Sequence, residues 1–97
     1  MTAAARRLPQ VTLYGRPGCC PCEEARALLE RVRGEIDFEL LERDIEADDA
    51  LLRRYLERIP VIAIDGAERF ELRVPEQALR ASLAAAAFPA ERSEKTH

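Results

Sequence analysis

The chain has no tryptophan, one methionine, one histidine and a single lysine, Lys95, among its 97 residues. No apolar run approaches the roughly 18 residues a membrane-crossing helix needs, so no membrane partner is expected. Positive charge is not in excess. Fifteen Lys and Arg stand against 18 Asp and Glu, for a net charge of −3. The arginines alternate with glutamates instead of gathering into a patch, which argues against nucleic acid as a partner. No glycine-rich loop of phosphate-cradling form occurs, and the carboxylates are spread along stretches that read as solvated, leaving no evident site for acid–base hydrolysis. Met1 to Pro9 contains Arg6-Arg7, but no hydrophobic segment follows, so no export signal is read and a cytoplasmic location is expected. In a reducing compartment, clustered cysteines serve catalysis or metal binding more often than structure. Cys19, Cys20, Cys22 and the remote His97 do not supply the four ligands of a structural zinc site, and no cofactor is expected.

What is present centres on Tyr14-Gly15-Arg16-Pro17-Gly18-Cys19-Cys20-Pro21-Cys22-Glu23-Glu24, which joins a strand-like run to a helix-like one. Residues three apart share a helical face, so the sulfurs of Cys19 and Cys22 can approach each other. Free N–H groups and the positive end of the helix dipole favour an anion at that point, here a thiolate on Cys19. A Cys-x-x-Cys thiol so placed can ionise in roughly the 3.5–7.5 range instead of near 8.5. This chemistry exchanges disulfides.

The chain length suits one domain. Residues 1–9 read as a flexible leader, 10–87 as the domain and 88–97 as a flexible tail closed off by Phe88-Pro89. Gln10 to Tyr14 is β-branched and aromatic, as a central strand is. From Cys20 to about Arg33, Cys22, Ala25, Leu29 and Val32 repeat at helical spacing, with Leu28 widening the stripe and Gly34 ending it. Pro21 is tolerated in the first turn. Ile36, Phe38 and Leu40 begin a second strand running to about Arg43, and strand–helix–strand over some thirty residues implies parallel pairing. Asp48 or Asp49 caps a second helix with Leu51, Leu52, Tyr55 and Leu56 as its buried stripe. Val61 to Ile64 follows as a short buried strand, Asp65-Gly66 is a hairpin signal, and Glu68 to Val74 returns as an edge strand. That strand places Phe70, Leu72 and Val74 on one face and Arg69, Glu71 and Arg73 on the other. Pro75 opens a third helix packed through Ala78, Leu79, Leu83 and Ala86. The order is β-α-β-α-β-β-α, an α/β chain with a four-stranded mixed sheet flanked by helices.

In this order the residues resemble the glutaredoxin branch of the thioredoxin superfamily. The likeness runs through Leu13 to Cys19, Cys22-Glu23-Glu24-Ala25, Asp44-Ile45-Glu46, Ile59-Pro60-Val61 and Asp65-Gly66, covering about residues 10 to 87. It implies a thioredoxin-like fold and a thiol–disulfide oxidoreductase. Cys19 would be the attacking nucleophile and Cys22 the resolving thiol. Pro60 would be a cis-proline beside the site, with Ile59 offering its backbone groups to an extended substrate segment. Arg16, three residues before the nucleophile, stands where many glutaredoxins have a lysine. It would favour the thiolate and bind a substrate carboxylate; read by itself, it is equally a solvated turn residue.

The chain also departs from the glutaredoxin pattern. Its inter-cysteine pair is Cys20-Pro21, with proline second as in thioredoxins. Arg58 replaces the usual threonine, and Arg73-Val74-Pro75-Glu76 stands where Gly-Gly-x-Asp clasps glutathione. The reductant is left open between glutathione and a thioredoxin-reductase-like flavoprotein. The substrate is expected to be a disulfide-bearing protein or small thiol, and the protein a monomer. Cys20, turned about 100° from Cys19, is either an exposed bystander or an extra thiol. The alternative function is a metal or iron–sulfur carrier using Cys19, Cys20 and Cys22, since soft thiolates suit copper(I), zinc and iron–sulfur clusters.

Overall fold

A computed structural model describes residues 8–87. Two runs of β-branched and aliphatic residues lie at the centre of its sheet. β1 (Gln10–Gly15) pairs in parallel with β2 (Glu39–Asp44) and antiparallel with β3 (Val61–Ile64), which pairs antiparallel with β4 (Ala67–Glu71). The strand order is β2-β1-β3-β4, and the expected mixed four-stranded sheet is present.

Helix α1 (Cys20–Arg33) and α3 (Glu76–Ala87) share one core with the sheet. Val11, Leu13, Ile62 and Ile64 meet Ala25, Leu28, Leu29, Val32, Leu79 and Leu83 there. The short α2 (Asp49–Tyr55) packs with a second cluster, in which Ile45, Tyr55 and Val61 are buried and Tyr14, Leu51, Leu52 and Ile59 pack around them. Asp48 caps α2, its Oδ1 accepting the N–H of Ala50 at 2.8 Å. The β3–β4 hairpin turns through Asp65 and Gly66, both at positive φ (52° and 87°), as a two-residue turn of matching twist requires. Asp65 also holds Gln10 through its backbone N–H (2.8 Å) and its Oδ1 (3.0 Å), tying the hairpin to the start of β1.

Several details differ from the sequence reading. Pro9, assigned to the leader, is fully buried, and its carbonyl accepts the N–H of Glu39 at 2.9 Å. β2 starts at Glu39, so Phe38 reaches the core from the preceding loop. Leu56, expected in the stripe of α2, lies beyond the helix and is exposed, as is Ala78 on α3. Ala78 is 100° from Leu79, which takes the inward position. Phe88-Pro89 and the tail lie outside the described residues.

The largest difference is in β4. A bulge at Arg69 pairs Glu71 with Val61 but Glu68 with Ala63. One extra residue shifts the alternation, so Glu68 and Glu71 share a face that strict alternation would not give them. β4 then ends at Glu71, and Leu72, expected on the inner face, is 53% exposed.

Candidate active site

β1 delivers the chain to Gly15 at the edge of the core, and the turn through Gly18 (φ 78°) brings it back to the start of α1. Cys19 is the N-cap, extended at φ −90° and ψ 112°, and its carbonyl accepts the N–H of Glu23 at 3.0 Å. No side chain caps this helix, so the free N–H groups and the positive dipole end are left to the Cys19 position. Cys19 is half-buried, Cys20 exposed and Cys22 buried, all three as free thiols.

Cys22 lies in a tight seat. A Cβ added at Gly15 would meet both Cβ and Sγ of Cys22 at 3.1 Å, so the glycine leaves the space that the inner thiol occupies. Burial pushes the Cys22 thiol up to about 11, and a hydrogen bond with Cys19 adds to the rise. A backbone hydrogen bond from Arg16 opposes it, the charge of Cys19 raises it further, and the Arg16 guanidinium lowers it. Arg16 itself is exposed and pairs with Glu46, Nε to Oε2 at 3.4 Å. It thus acts on Cys22 as well as standing near Cys19.

Two concavities flank the cysteine pair. A cavity of about 360 Å³ between α1 and β2 is lined by Cys22 with Arg16, Arg26, Arg43, Glu42 and Asp44. A groove of about 520 Å³ lies on the other side, walled by Pro21, Pro60, Leu72 and Val74, with Arg73 and Glu24 among its charged edges. The Ile59–Pro60 peptide bond at this side is cis. Ile59 does not offer both backbone groups, as the resemblance implied: its N–H is already donated to the Tyr55 carbonyl at 3.1 Å. Its carbonyl accepts no hydrogen bond among the described residues.

The segment bearing Pro60 is braced by a charged cluster that sequence reasoning did not assemble. The Arg58 guanidinium reaches Glu68 through Nη2 and Glu71 through Nε, the latter at 2.8 Å. Tyr55 donates its hydroxyl to Glu68 at 2.8 Å and stacks on Tyr14 with ring centroids 4.4 Å apart. Burial first, then the bond to Glu68, pushes the Tyr55 phenol up to about 12, while Arg58 and Tyr55 hold the Glu68 carboxyl below its ordinary range. The available signal was Arg58 followed by Glu68 and Glu71, but the bulge that aligns the two carboxylates leaves no mark in the hydrophobic pattern.

Leu72 closes this region. Its backbone N–H is shared between the carbonyls of Arg58 (3.1 Å) and Pro60 (2.9 Å), and Arg73 N–H bonds back to the Glu71 carbonyl at 2.6 Å. With φ at 68°, Leu72 is the centre of a γ-turn of the rare positive-φ form, a conformation costing a non-glycine residue roughly 1–2 kcal/mol.

Among the described residues, no group of three or more His, Cys, Asp and Glu is placed to hold a metal ion, so the three cysteines do not form a ligand set. His97 lies outside the described residues. Among those residues no helix is long and apolar enough to cross a membrane.

Comparison with known proteins agrees with this geometry. Residues 10–84 match the family model described as Glutaredoxin-like domain (DUF836). An uncharacterised protein of Mycobacterium tuberculosis is 31% identical over 85 residues, covering 82% of this chain and 88% of its own. A glutaredoxin of Haemophilus influenzae is 34% identical over 80 residues, 69% of this chain and 92% of the relative. The solution structure of a Nitrosomonas europaea protein superposes with a TM-score of 0.70 at 29% identity, over 79% of this chain and 93% of that one. A Halobacterium salinarum thioredoxin shares the fold alone, with a TM-score of 0.64 at 19% identity over 81% and 74% of the two chains. The chain belongs to the glutaredoxin-like family of the thioredoxin superfamily.

Proposed function

We propose that this protein is a cytoplasmic thiol–disulfide oxidoreductase that works through Cys19 and Cys22. The observation that carries the reading is a pair of thiols one helical turn apart, the outer one at an uncapped helix N-terminus and the inner one buried, with its thiol pushed up by burial and by Cys19. Cys19, as thiolate, attacks one sulfur of a substrate disulfide, forming a mixed disulfide and expelling the first substrate thiolate. Cys22 then attacks Cys19 Sγ, closing the Cys19–Cys22 disulfide and expelling the second. Two electrons pass to the substrate, and the departing thiolates take up the protons.

The causes acting on Cys22 give the two steps an order. While Cys19 is a free thiolate, its hydrogen bond and charge help keep the Cys22 proton in place. Once Cys19 is bound in the mixed disulfide, both influences vanish, while the backbone and guanidinium of Arg16 still favour the anion. Cys22 therefore becomes a nucleophile after Cys19 has reacted. A thiol or a dithiol flavoprotein restores the reduced pair, with glutathione and a thioredoxin-reductase-like donor as the candidates.

The test is reduction of a model disulfide by purified variants. Cys19→Ser should lose activity by at least about a hundredfold, and Cys22→Ser should accumulate the mixed disulfide, seen by mass spectrometry. Full activity in Cys19→Ser would sink the assignment. Running the assay with glutathione plus its reductase, and separately with thioredoxin reductase, distinguishes the donors.

A further inference from the structure

Leu72 has the greatest exposure among the large hydrophobic residues described, and it occupies a backbone conformation that glycine would adopt without strain. Burial does not offset the strain, since more than half of the side chain stays in water. The conformation is nonetheless enforced: the Leu72 N–H is held by Arg58 and Pro60, and Arg58 is anchored by its side chain to Glu68 and Glu71. Strain that the surroundings maintain without a packing return is a mark of a functional position. Leu72 faces the 520 Å³ groove with Pro21, Pro60 and Val74.

We propose that Leu72 is the specificity-determining residue for polypeptide substrates, receiving a bulky apolar side chain two positions from the substrate's reacting cysteine. This rests on the oxidoreductase reading given above. The spacing follows from strand geometry. In an extended segment, side chains two apart point to the same face and lie about 6–7 Å from each other. When the substrate cysteine points down at Cys19, its second neighbour on the Pro60 side points down as well. Pro21, two residues beyond Cys19, and Pro60 form the near wall of the groove that receives it. The Ile59 carbonyl accepts no bond among the described residues and is available to a main-chain N–H of the segment.

The charges favour an apolar peptide over a small dianionic thiol. Arg31 in the groove is committed to Glu76 at 2.9 Å, which leaves Arg73 as a single cation in a lining that also carries Glu24, so no fork of two free cations waits for two carboxylates. The apolar wall is what remains for recognition.

The test uses peptides with one cysteine blocked as a mixed disulfide with thionitrobenzoate, carrying Leu, Gly or Asp two positions to either side. Wild-type protein should release the chromophore from the Leu peptide with a kcat/KM roughly tenfold above the Asp and Gly peptides, on one side of the cysteine only. Leu72→Gly should bring that ratio near one, with a loss on the Leu peptide several times any change on a small aromatic disulfide, and should not lower the unfolding midpoint. Leu72→Met should keep the preference. A preserved ratio in Leu72→Gly, or an equal loss on peptide and small disulfide, overturns the assignment. Binding of the same peptides with serine in place of cysteine, followed through the amide resonances of Leu72 and Val74, separates the two readings. Leucine-dependent binding without any reduction overturns the oxidoreductase reading but leaves the groove. Reduction without leucine-dependent binding does the reverse.

Discussion

The two sides of the cysteine pair are built from different materials. The α1–β2 side is charged, with Arg16, Arg26, Arg43, Glu42 and Asp44 around an opening that reaches Cys22. The Pro60 side contains no cysteine, but has prolines, Leu72 and Val74 forming a wall above α1. The difference separates two tasks. An apolar wall can hold a passing polypeptide, because burying apolar surface is favourable whatever the sequence around it. A charged rim is poor at that, since exposed ion pairs gain little from a neutral ligand. It can, however, set the field at a buried thiol. On the proposed reading, the inner cysteine titrates under the influence of one side while the other side holds the substrate.

The strongest way to break this division is to fill the space beneath Cys22. Gly15→Ala places a methyl group 3.1 Å from both Cβ and Sγ of Cys22, closer than ordinary van der Waals contact, so the inner thiol must shift from its seat. Overpacking of this kind costs about 1–3 kcal/mol. The expected result is an unfolding midpoint lower by several degrees, together with slower release of substrate from Cys19, read as longer-lived mixed disulfide. A variant with wild-type stability and wild-type release would show that the glycine is not the seat of the inner thiol.

The next effect is alkaline instability. Cys22 is pushed up to about 11 and Tyr55 to about 12, against ordinary values of 9.0 and 10.0. An unfolded chain would shed both protons at the ordinary values while the folded one still holds them. The stability linked to these groups is therefore complete below about pH 9 and is lost as pH rises toward 12. Urea midpoints measured with reductant present should be level from pH 7 to 9 and fall above that. Cys22→Ser and Tyr55→Phe should each flatten part of the fall. A decline that neither substitution changes would assign it to other groups.

How much of this was legible beforehand varied with the kind of residue. The helix from Cys20 to Arg33 could be read to the residue, because its apolar stripe repeats at 3.6 and its ends carry Pro21 and Gly34. The hairpin at Asp65-Gly66 was equally plain, since two adjacent positive φ angles demand such residues. The cysteine pair was located by spacing alone. Leu72 was misplaced because alternation assumes an unbroken ladder, and the bulge at Arg69 leaves the hydrophobic pattern intact while shifting its register. Nor does any local rule announce a leucine at positive φ. The constraint comes from the Arg58 and Pro60 carbonyls, both more than ten residues away in sequence. The engagement of the Ile59 N–H by Tyr55 was hidden for the same reason: it depends on how α2 ends, and element ends are the least legible part of a pattern.

The smallest expected effect sharpens the comparison most finely. The guanidinium of Arg16 lowers Cys22 by charge alone, as the weakest of the influences on that thiol, while the Arg16 backbone hydrogen bond would survive truncation of the side chain. Arg16→Ala also removes the exposed pair with Glu46. Pairs of this kind contribute little, so the unfolding midpoint should not move measurably. The decay of the mixed disulfide should slow no more than a few fold at neutral pH, and its pH profile should shift upward, because a group lowered by a nearby cation titrates higher without it. Arg26→Ala is the matching control: its guanidinium lines the same cavity and holds Glu42 at 3.0 Å, yet it is not among the influences on Cys22. A shift in the Arg16 variant alone assigns the field to one named cation. Equal shifts in both variants would mean that the whole charged rim acts on the thiol together, and no shift in either would leave burial and the Arg16 backbone hydrogen bond as its governors in the mixed disulfide.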